Sequence, residues 1–166
     1  ITAEYLGDEI QMNLNVLGEP LLIPATAPLF NYTLESGTLN DLRLSDDVRY
    51  SVKTINMENG TPTITFTYVA PAGAISGLTY RHEFRSDIEK TNCRLDVWNW
   101  NTNQWELLFL QGSPISDVVR TGSLNVATHM NSSTREIRTR ISSTRNSRRV
   151  VRPLMEFDTA TIQVIR

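Results

Sequence analysis

In the stretch RLDVWNWNTNQWELL, residues 94–108, all 3 tryptophans of the chain lie in two short runs that alternate apolar and polar residues. A polar, Asn-rich segment joins the two runs. This pattern is typical of a β-hairpin. The stretch therefore predicts two antiparallel strands, and it says more about the fold than about any chemistry.

The remainder of the chain from Asn31 repeats the same alternation. Ile64, Phe66 and Tyr68 alternate with threonines, and Asn59-Gly60, a dipeptide of tight turns, precedes them. Short alternating runs between turn residues, without helical periodicity, predict an all-β, antiparallel jelly-roll β-sandwich. The other runs of this kind are Val48 to Val52, Leu78 to Phe84, Cys93 to Val97, Trp105 to Phe109, Val118 to Val126, Ile137 to Ile141 and Ile162 to Val164.

The first 30 residues differ from the rest. Pro20, Pro24 and Pro28 exclude a helix there and favour an extended chain. We interpret residues 1–30 as an extended arm with one strand and residues 31–166 as the β-sandwich domain. The strand either is the first strand of the same sandwich or completes the sheet of a neighbouring subunit. Its alternating apolar residues, which would fill pockets of that subunit, are Ile10, Met12, Leu14 and Val16.

The composition predicts one folded domain with an uneven distribution of charge. The chain has 166 residues, 40% of them hydrophobic, and a formal net charge of -2. This length suits one ordinary domain with a peripheral segment. From Arg120 onward arginines outnumber the acidic residues, whereas acidic residues prevail before it. The arginines either face water on adjacent strands or form a patch for a partner.

Two kinds of partner are disfavoured. The arginines between Arg138 and Arg152 would attract nucleic acid, but the chain is acidic overall and has no nucleic-acid-binding motif. No apolar run approaches the length of a membrane span. We therefore expect neither nucleic-acid binding nor membrane insertion, and we expect Arg138 and Arg140 to pair with acids of a neighbouring strand or subunit.

The order of elements after residue 30 resembles a known family. Gly37-Thr38-Leu39-Asn40-Asp41-Leu42, Ser45-Asp46-Asp47, the tryptophan hairpin and the run from Thr134 to Ile141 follow one another as in the galactose-binding-like (discoidin-like) jelly-roll modules of secreted and surface proteins. The resemblance covers residues 31–166 and implies the fold and an extracellular setting. Modules with this fold serve as carbohydrate-binding modules, adhesion domains and components of virions or surface layers, so the fold alone does not fix a function.

The sequence lacks a recognisable catalytic set. Its 2 histidines, His82 and His129, are far apart and lack the spacing of metal ligands, and its 1 cysteine, Cys93, alternates with core residues. His82 falls on the apolar side of its strand, which favours a structural role. We predict that the protein is not an enzyme and has no cofactor, although sequence leaves open the separation of carboxylates that glycoside hydrolysis needs.

A structural calcium ion is a weaker prediction. Jelly-roll folds that this chain resembles commonly hold one, and Asp46-Asp47 is the tightest acidic pair. Adjacent carboxylates cooperate in a loop, where calcium is bound by carboxylate and carbonyl oxygens. The chain has no Asp-x-Asp-x-Asp-Gly loop, so these two residues are the candidates.

Trp98 and Trp100 are the best candidates for contact with a ligand. They alternate with Leu95 and Val97 in a way that points the indoles outward, and sugars stack on exposed aromatic planes. The competing interpretation is that a bulge or the end of the sheet turns Trp100 or Trp105 into the core, or that the arm or a neighbour covers Trp98.

These observations favour a non-catalytic, extracellular structural subunit that joins its neighbours through the N-terminal strand, in a homo-oligomer, filament, surface layer or virion. The alternative is a carbohydrate-binding module of a larger secreted protein, with a glycan as its partner. Glycosylation triplets at Asn31, Asn59 and Asn131 matter only in a secretory route that adds glycans.

Overall fold

A computed structural model describes residues 19–55, 61–87, 91–112, 115–145 and 154–166. In these ranges the chain consists mostly of β-strands in two antiparallel sheets, which confirms the predicted all-β sandwich. Helix is limited there to a 3₁₀ turn at Leu39–Leu42 and a short α-helix, α1, at Val126–His129. No helix of the described part has the length and hydropathy needed to cross a membrane.

Eleven strands are described, and they are numbered in chain order. They are β1 Leu21–Leu22, β2 Leu29–Phe30, β3 Tyr32–Ser36, β4 Tyr50–Thr54, β5 Thr63–Val69, β6 Gly77–Ser86, β7 Thr91–Asn99, β8 Gln104–Gly112, β9 Val118–Leu124, β10 Glu136–Arg145 and β11 Leu154–Ile165.

The strands form a six-stranded and a five-stranded sheet. The first has the order β3-β4-β11-β6-β9, with β1 also paired to β11, and the second has the order β2-β5-β10-β7-β8. Every pair of neighbours is antiparallel. Most neighbours in a sheet are distant in sequence, so the chain passes repeatedly between the sheets, as in a jelly roll. Two pairs are exceptions, because their strands are consecutive: β3 with β4, and β7 with β8, the predicted tryptophan hairpin.

A bulge in β8 changes one prediction. The alternation predicted that Leu107 and Phe109 point the same way, and this is wrong. Asp96 pairs with Leu107, whereas the preceding residue, Leu95, pairs with Phe109, so β8 contains one extra residue at this point. Phe109 is therefore turned inward, where its ring stacks on Phe84 at 5.8 Å, and Leu107 remains 52% exposed.

Part of the segment that was interpreted as an arm pairs with the sheets. Leu21–Leu22 pairs with Ile162 and Gln163 of β11, and Leu29–Phe30 pairs with β5. The predicted strand from Ile10 to Val16 lies outside the described residues. The division of the chain at residue 30 therefore remains a prediction, while residues 19–30 contribute strands to both sheets.

The core lies between the two sheets and is built from alternate residues of their strands. Phe66 of the five-stranded sheet meets Phe157 of the six-stranded sheet edge to face, with 5.4 Å between the ring centroids. Cys93 is buried in this core, as its alternation predicted. Burial of apolar surface at about 25 cal/mol per Å² is the main force that holds such sheets together. Other fully buried residues are Val52, Ile64, Tyr68, Phe84, Leu95, Val97, Ile137, Met155 and Ile162.

His82 is a buried member of this core, as its position in the alternation predicted. Its side chain is fully buried, its Nε2 lies 3.2 Å from Oγ1 of Thr139 on the opposite sheet, and its ring lies 5.6 Å from that of Phe66. Burial lowers the pKa of His82 to about 3, because an apolar environment disfavours the imidazolium ion. The imidazole is therefore neutral in the folded protein at neutral pH.

We expect the free energy of unfolding to decrease as the pH falls from about 6.5, the usual pKa of histidine, towards 3. The unfolded chain protonates His82 near its usual pKa, whereas the folded protein does so only near a pKa of about 3. Acid therefore favours the unfolded state in this interval. The loss amounts to about 1.4 kcal/mol per pH unit for one such group, and urea unfolding at a series of pH values measures it.

His82→Gln removes this titration while keeping a side chain that can hydrogen-bond to Thr139, so the pH dependence should become flatter. His129→Gln is the control above a pH of about 4.5, since it removes the other histidine and leaves His82 in place; below that pH it also removes the hydrogen bond that lowers the pKa of Glu106. Equal pH slopes for the original protein and His82→Gln would contradict the expectation.

Candidate functional site

The outer face of the five-stranded sheet, the side turned away from the six-stranded sheet, carries a continuous set of polar and aromatic side chains. It arises because every second residue of β5, β10, β7 and β8 is committed to the core and the residues between them point outward. One row of paired residues crosses all five strands. It consists of Phe30, Thr63, Ser142, Arg94 and Leu110.

This row is apolar at its ends and polar in the middle. Phe30 is 54% exposed and Leu110 is 58% exposed, whereas Thr63, Ser142 and Arg94 between them offer hydroxyl and guanidinium groups. The neighbouring row has Thr65, Arg140 and Asp96 side by side. The two rows give this face hydrogen-bonding groups at its centre and apolar surface at its edges.

Asp96 is the centre of the charged groups on this face. Its side chain is fully buried and accepts hydrogen bonds from two arginines, at 2.6 Å from Nε of Arg94 and at 2.8 Å from a terminal nitrogen of Arg140. A buried carboxylate is tolerated only when donors of this kind replace water. Asp96 therefore fixes the positions of both guanidinium groups.

The three tryptophans form one indole cluster beside these arginines. Trp98 of β7 and Trp105 of β8 pair across the hairpin, and their rings meet edge to face at 5.1 Å. Trp100, just beyond the end of β7, meets Trp98 edge to face at 6.4 Å. All three side chains are half-buried. Edge-to-face contacts place the electropositive edge of one ring on the electronegative face of another, which gives the cluster a defined geometry.

Two arginines of β10 lie on the indole cluster. The guanidinium carbon of Arg138 is 4.7 Å from the ring centroid of Trp100, and that of Arg140 is 4.3 Å from that of Trp105. Both distances are within the range of cation–π attraction. Since β7 lies between β8 and β10, the ring of Trp105 extends across β7 to reach Arg140.

An open pocket of about 470 Å³ adjoins the cluster on the same face. Trp105 belongs both to the pocket and to the indole cluster, so the two form one continuous surface. A volume of this order suits a small ligand or one segment of a longer one. The pocket is lined by Thr61, Thr63, Arg94, Trp105, Arg140 and Ser142.

A hydrogen-bond network fixes the turn that carries Trp100. Oδ1 of Asn99 accepts from the backbone N–H groups of Asn101 and Thr102, and its Nδ2 donates to Glu106 at 2.6 Å. The other carboxylate oxygen of Glu106 lies 2.9 Å from Nε2 of His129. These two hydrogen bonds, that of His129 above all, lower the pKa of Glu106 below its usual range.

The same network ties the turn to α1. The backbone N–H of Trp100 donates to the carbonyl of Thr128 at 2.8 Å, and Nδ1 of His129 accepts from the backbone N–H of Asn125. Nε2 of His129 is therefore the nitrogen that donates to Glu106 when the ring is neutral. His129 has a structural position here, at the base of the turn.

The residues predicted to contact a ligand are brought together on this face. Trp98 and Trp100 lie on the outer side of the sheet, opposite the buried Leu95 and Val97, and they touch each other. Their role in binding remains a prediction. Arg140 pairs with an acid of the neighbouring strand, as predicted, whereas Arg138 does not: its partner is Glu136 of the same strand, at 2.8 Å.

The Asp46-Asp47 pair lies in a loop, as a calcium site would require, but both carboxylates interact with groups of the protein itself. The carboxylate of Asp47 pairs with Arg49 at 2.7 Å, and that of Asp46 accepts from the backbone N–H of Val48. The backbone N–H groups of both residues point to the carboxylate of Asp158. Within the described residues no three His, Cys, Asp or Glu side chains come together as metal ligands would. Calcium at this loop remains a prediction.

Four further residues of this face were not assigned to a site from the sequence. The sequence did contain a signal that Arg94 and Asp96 belong to this face, because they alternate with Leu95 and therefore lie on the same side of the strand as Trp98. Trp105 carried one as well, since a hairpin centred on residues 101 and 102 places it opposite Trp98. Phe30 carried none, because nothing in the sequence indicates that it pairs beside Thr63. The predicted interface residues Ile10, Met12, Leu14 and Val16 lie outside the described residues.

The comparisons with known proteins identify the fold. No protein-family model matches the chain, and no curated protein sequence matches it. Among solved structures, a family 29 carbohydrate-binding module is similar, with a TM-score of 0.52 and 8% identity over 87% of this chain and 88% of that chain. A variant of such a module, complexed with mannohexaose, has a TM-score of 0.51 and 7% identity over 88% and 92% of the two chains.

An agarase also contains a similar unit. It has a TM-score of 0.52 and 9% identity, and the match covers 85% of this chain but 23% of the agarase chain. Identities this low establish a common fold, the β-sandwich of carbohydrate-binding modules, and leave function to be argued from the site.

We expect Asn99→Ala to destabilise the turn that carries Trp100. The change leaves the N–H groups of Asn101 and Thr102 and one oxygen of Glu106 without their partner. The free energy of unfolding should fall by about 1 kcal/mol or more, the cost of hydrogen bonds lost from a partly buried site. Urea unfolding measures the loss, and amide hydrogen exchange should show faster exchange at Trp100.

Asn101→Ala is the matched control, because Asn101 is an exposed asparagine in the same turn. It should leave both measurements nearly unchanged. Equal effects of the two substitutions would mean that the network around Asn99 does not hold the turn.

Proposed function

We propose that this protein is a glycan-binding module that holds a saccharide on the outer face of its five-stranded sheet. The observation that carries the proposal is the continuity of the indole cluster with the pocket, through Trp105. Indole faces take the apolar faces of sugar rings, and hydroxyl and guanidinium groups take sugar hydroxyls. Thr63, Ser142 and Arg94 supply such groups beside the tryptophans.

The fold supports the same conclusion. Its similarity to carbohydrate-binding modules, including one complexed with a hexasaccharide, agrees with a galactose-binding-like sandwich that binds glycans. The agarase match, which covers 23% of that chain, supports the view that such a sandwich can be one part of a larger protein. We therefore favour the glycan-binding module over the structural subunit, and we place it outside the cell, where polysaccharides are available.

A binding role without catalysis agrees with the chemistry of the pocket. Glycoside hydrolysis uses two carboxyl groups that reach the scissile bond. The described residues that line this pocket include no Asp or Glu, and the adjacent carboxylate, that of Asp96, is fully buried and occupied by Arg94 and Arg140. A ligand on this face would meet donors and aromatic rings.

We expect Trp98→Ala to lower the affinity for a bound glycan about tenfold or more. Aromatic side chains at the centre of a binding site commonly contribute about 2 kcal/mol of binding free energy. Screening of the full chain on a glycan array identifies the ligand, and isothermal titration calorimetry measures the affinity. Trp98→Phe, which keeps an aromatic face, should lose less.

Val119→Ala is the control, because Val119 is 39% exposed on the six-stranded sheet. It should bind as the original protein does. Binding that survives Trp98→Ala but is lost on Val119→Ala would place the ligand on the other sheet, and an absence of binding to all glycans would refute the proposal.

A second candidate function is assembly through the N-terminal strand, and β8 favours it. This strand lies at the end of the five-stranded sheet and exposes Leu107 and Leu110, which are 52% and 58% exposed. An edge strand with exposed leucines is a surface to which a strand of another subunit could add. The segment with Ile10, Met12, Leu14 and Val16 would be that strand.

If this assembly occurs, Leu14→Asp should abolish it, because a carboxylate would have to enter an apolar groove. Light scattering of the full chain, of Leu14→Asp and of a chain that begins at residue 19 gives the masses. We expect an oligomer for the first and monomers for the other two, with Trp98→Ala as the control that leaves the mass unchanged. Monomers in every case would exclude the assembly role.

A further inference from the structure

The pocket on the outer face carries an uncompensated positive charge. Arg94 and Arg140 both pair with Asp96, so two guanidinium groups share one carboxylate. Arg138, the next arginine on this face, is paired with Glu136 of its own strand. The β5 side of the pocket is lined by Thr63 and by Thr61, which precedes the strand, and neither carries a charge. Among the residues that the structure describes, one positive charge therefore remains at the pocket.

A ligand can reach the cations but not the anion. The side chain of Asp96 is 0% exposed, whereas those of Arg94 and Arg140 are 41% and 27% exposed. The accessible charged groups of the pocket are thus hydrogen-bond donors. Sugar hydroxyls both donate and accept, but carboxylate and sulfate oxygens only accept, so acidic groups fit this lining better than hydroxyls do.

Arg94 has the geometry to receive such a group. Its Nε donates to Asp96 at 2.6 Å, and its two terminal nitrogens have no hydrogen-bond partner among the described residues. Those nitrogens form the planar fork that binds two oxygens of a carboxylate or sulfate. Arg140 lies beside it and is held by Asp96 and by the ring of Trp105. Both donors are therefore positioned before a ligand arrives, which reduces the entropy lost on binding.

We propose that the Arg94–Arg140 pocket selects saccharides with an acidic group, the carboxylate of a uronic acid or a sulfate ester, and that Arg94 binds this group. The inference rests on the proposed function of the outer face. On this face the indole cluster, which includes Trp105, holds the sugar rings, and the charge of the pocket determines which polysaccharide is bound.

The test compares three hexasaccharides on the full chain by isothermal titration calorimetry: oligogalacturonate, a sulfated galactan fragment and the neutral mannohexaose. At least one acidic probe should bind about tenfold more tightly than the neutral one, since a hydrogen bond to a charged group contributes about this factor. The two acidic arms distinguish carboxylate from sulfate. The preference should decrease as NaCl is raised, because salt screens an exposed charge.

Arg94→Gln should lower the affinity for the acidic probe about tenfold more than the affinity for the neutral probe, because glutamine can still hydrogen-bond to a sugar hydroxyl but carries no charge. Asp96 keeps Arg140 as its partner in this variant, so the fold should be retained. Arg94→Lys, which keeps the charge but not the fork, should keep part of the preference. The matched control is Arg81→Gln on the six-stranded sheet, because Arg81 is 42% exposed and also pairs with an acid two residues along its strand.

The outcomes separate the two proposals. Equal affinities for acidic and neutral probes, or an acidic preference that survives Arg94→Gln, would overturn this inference and leave glycan binding intact. Trp98→Ala should weaken acidic and neutral probes alike, which distinguishes the shared platform from the charge-selective group. A chain that binds no saccharide would overturn both.

Discussion

Strict alternation of side chains between the two faces of a strand is the constraint on which this structure depends. In the five-stranded sheet it sends Ile64, Phe66, Leu95 and Ile141 into the core, and each buried residue forces its neighbour outward. The outer face is therefore a by-product of core formation. A single extra residue in β8 ends the alternation locally, and it is the reason why Phe109 supports the core while Leu107 lies at the surface.

On the outer face a buried carboxylate replaces the core as the organising element. Asp96 has no access to water, so its hydrogen bonds to Arg94 and Arg140 must compensate for the lost hydration. Trp105 lies over this group by stacking on Arg140. The carboxylate, the guanidinium groups and the indole thus hold one another in place, and this gives the polar face a fixed shape.

The sequence is sufficient to predict most of the fold because that part of the problem is periodic. The alternation of Ile64, Phe66 and Tyr68 and the turn of the tryptophan hairpin identify strands from local residues. The strand order, in contrast, depends on residues far apart in the chain. β7 lies beside β10, some forty residues away, and the residues of neither strand indicate that the other is its neighbour. The pairing of Arg140 with Asp96 depends on that order, so only a neighbouring acid of unknown identity could be predicted. The bulge in β8 and the position of Phe30 in the sheet could not be predicted from the sequence either.

The indole cluster has a consequence for how this protein can be observed. All 3 tryptophans of the chain meet in one cluster, at ring separations of 5.1 and 6.4 Å, and two of them lie under arginines. The tryptophan fluorescence of the protein, excited selectively at wavelengths that tyrosine does not absorb, therefore originates from the outer face. Rings this close also couple their electronic transitions. The emission and near-ultraviolet circular dichroism are thus a label-free reporter of events at this one surface.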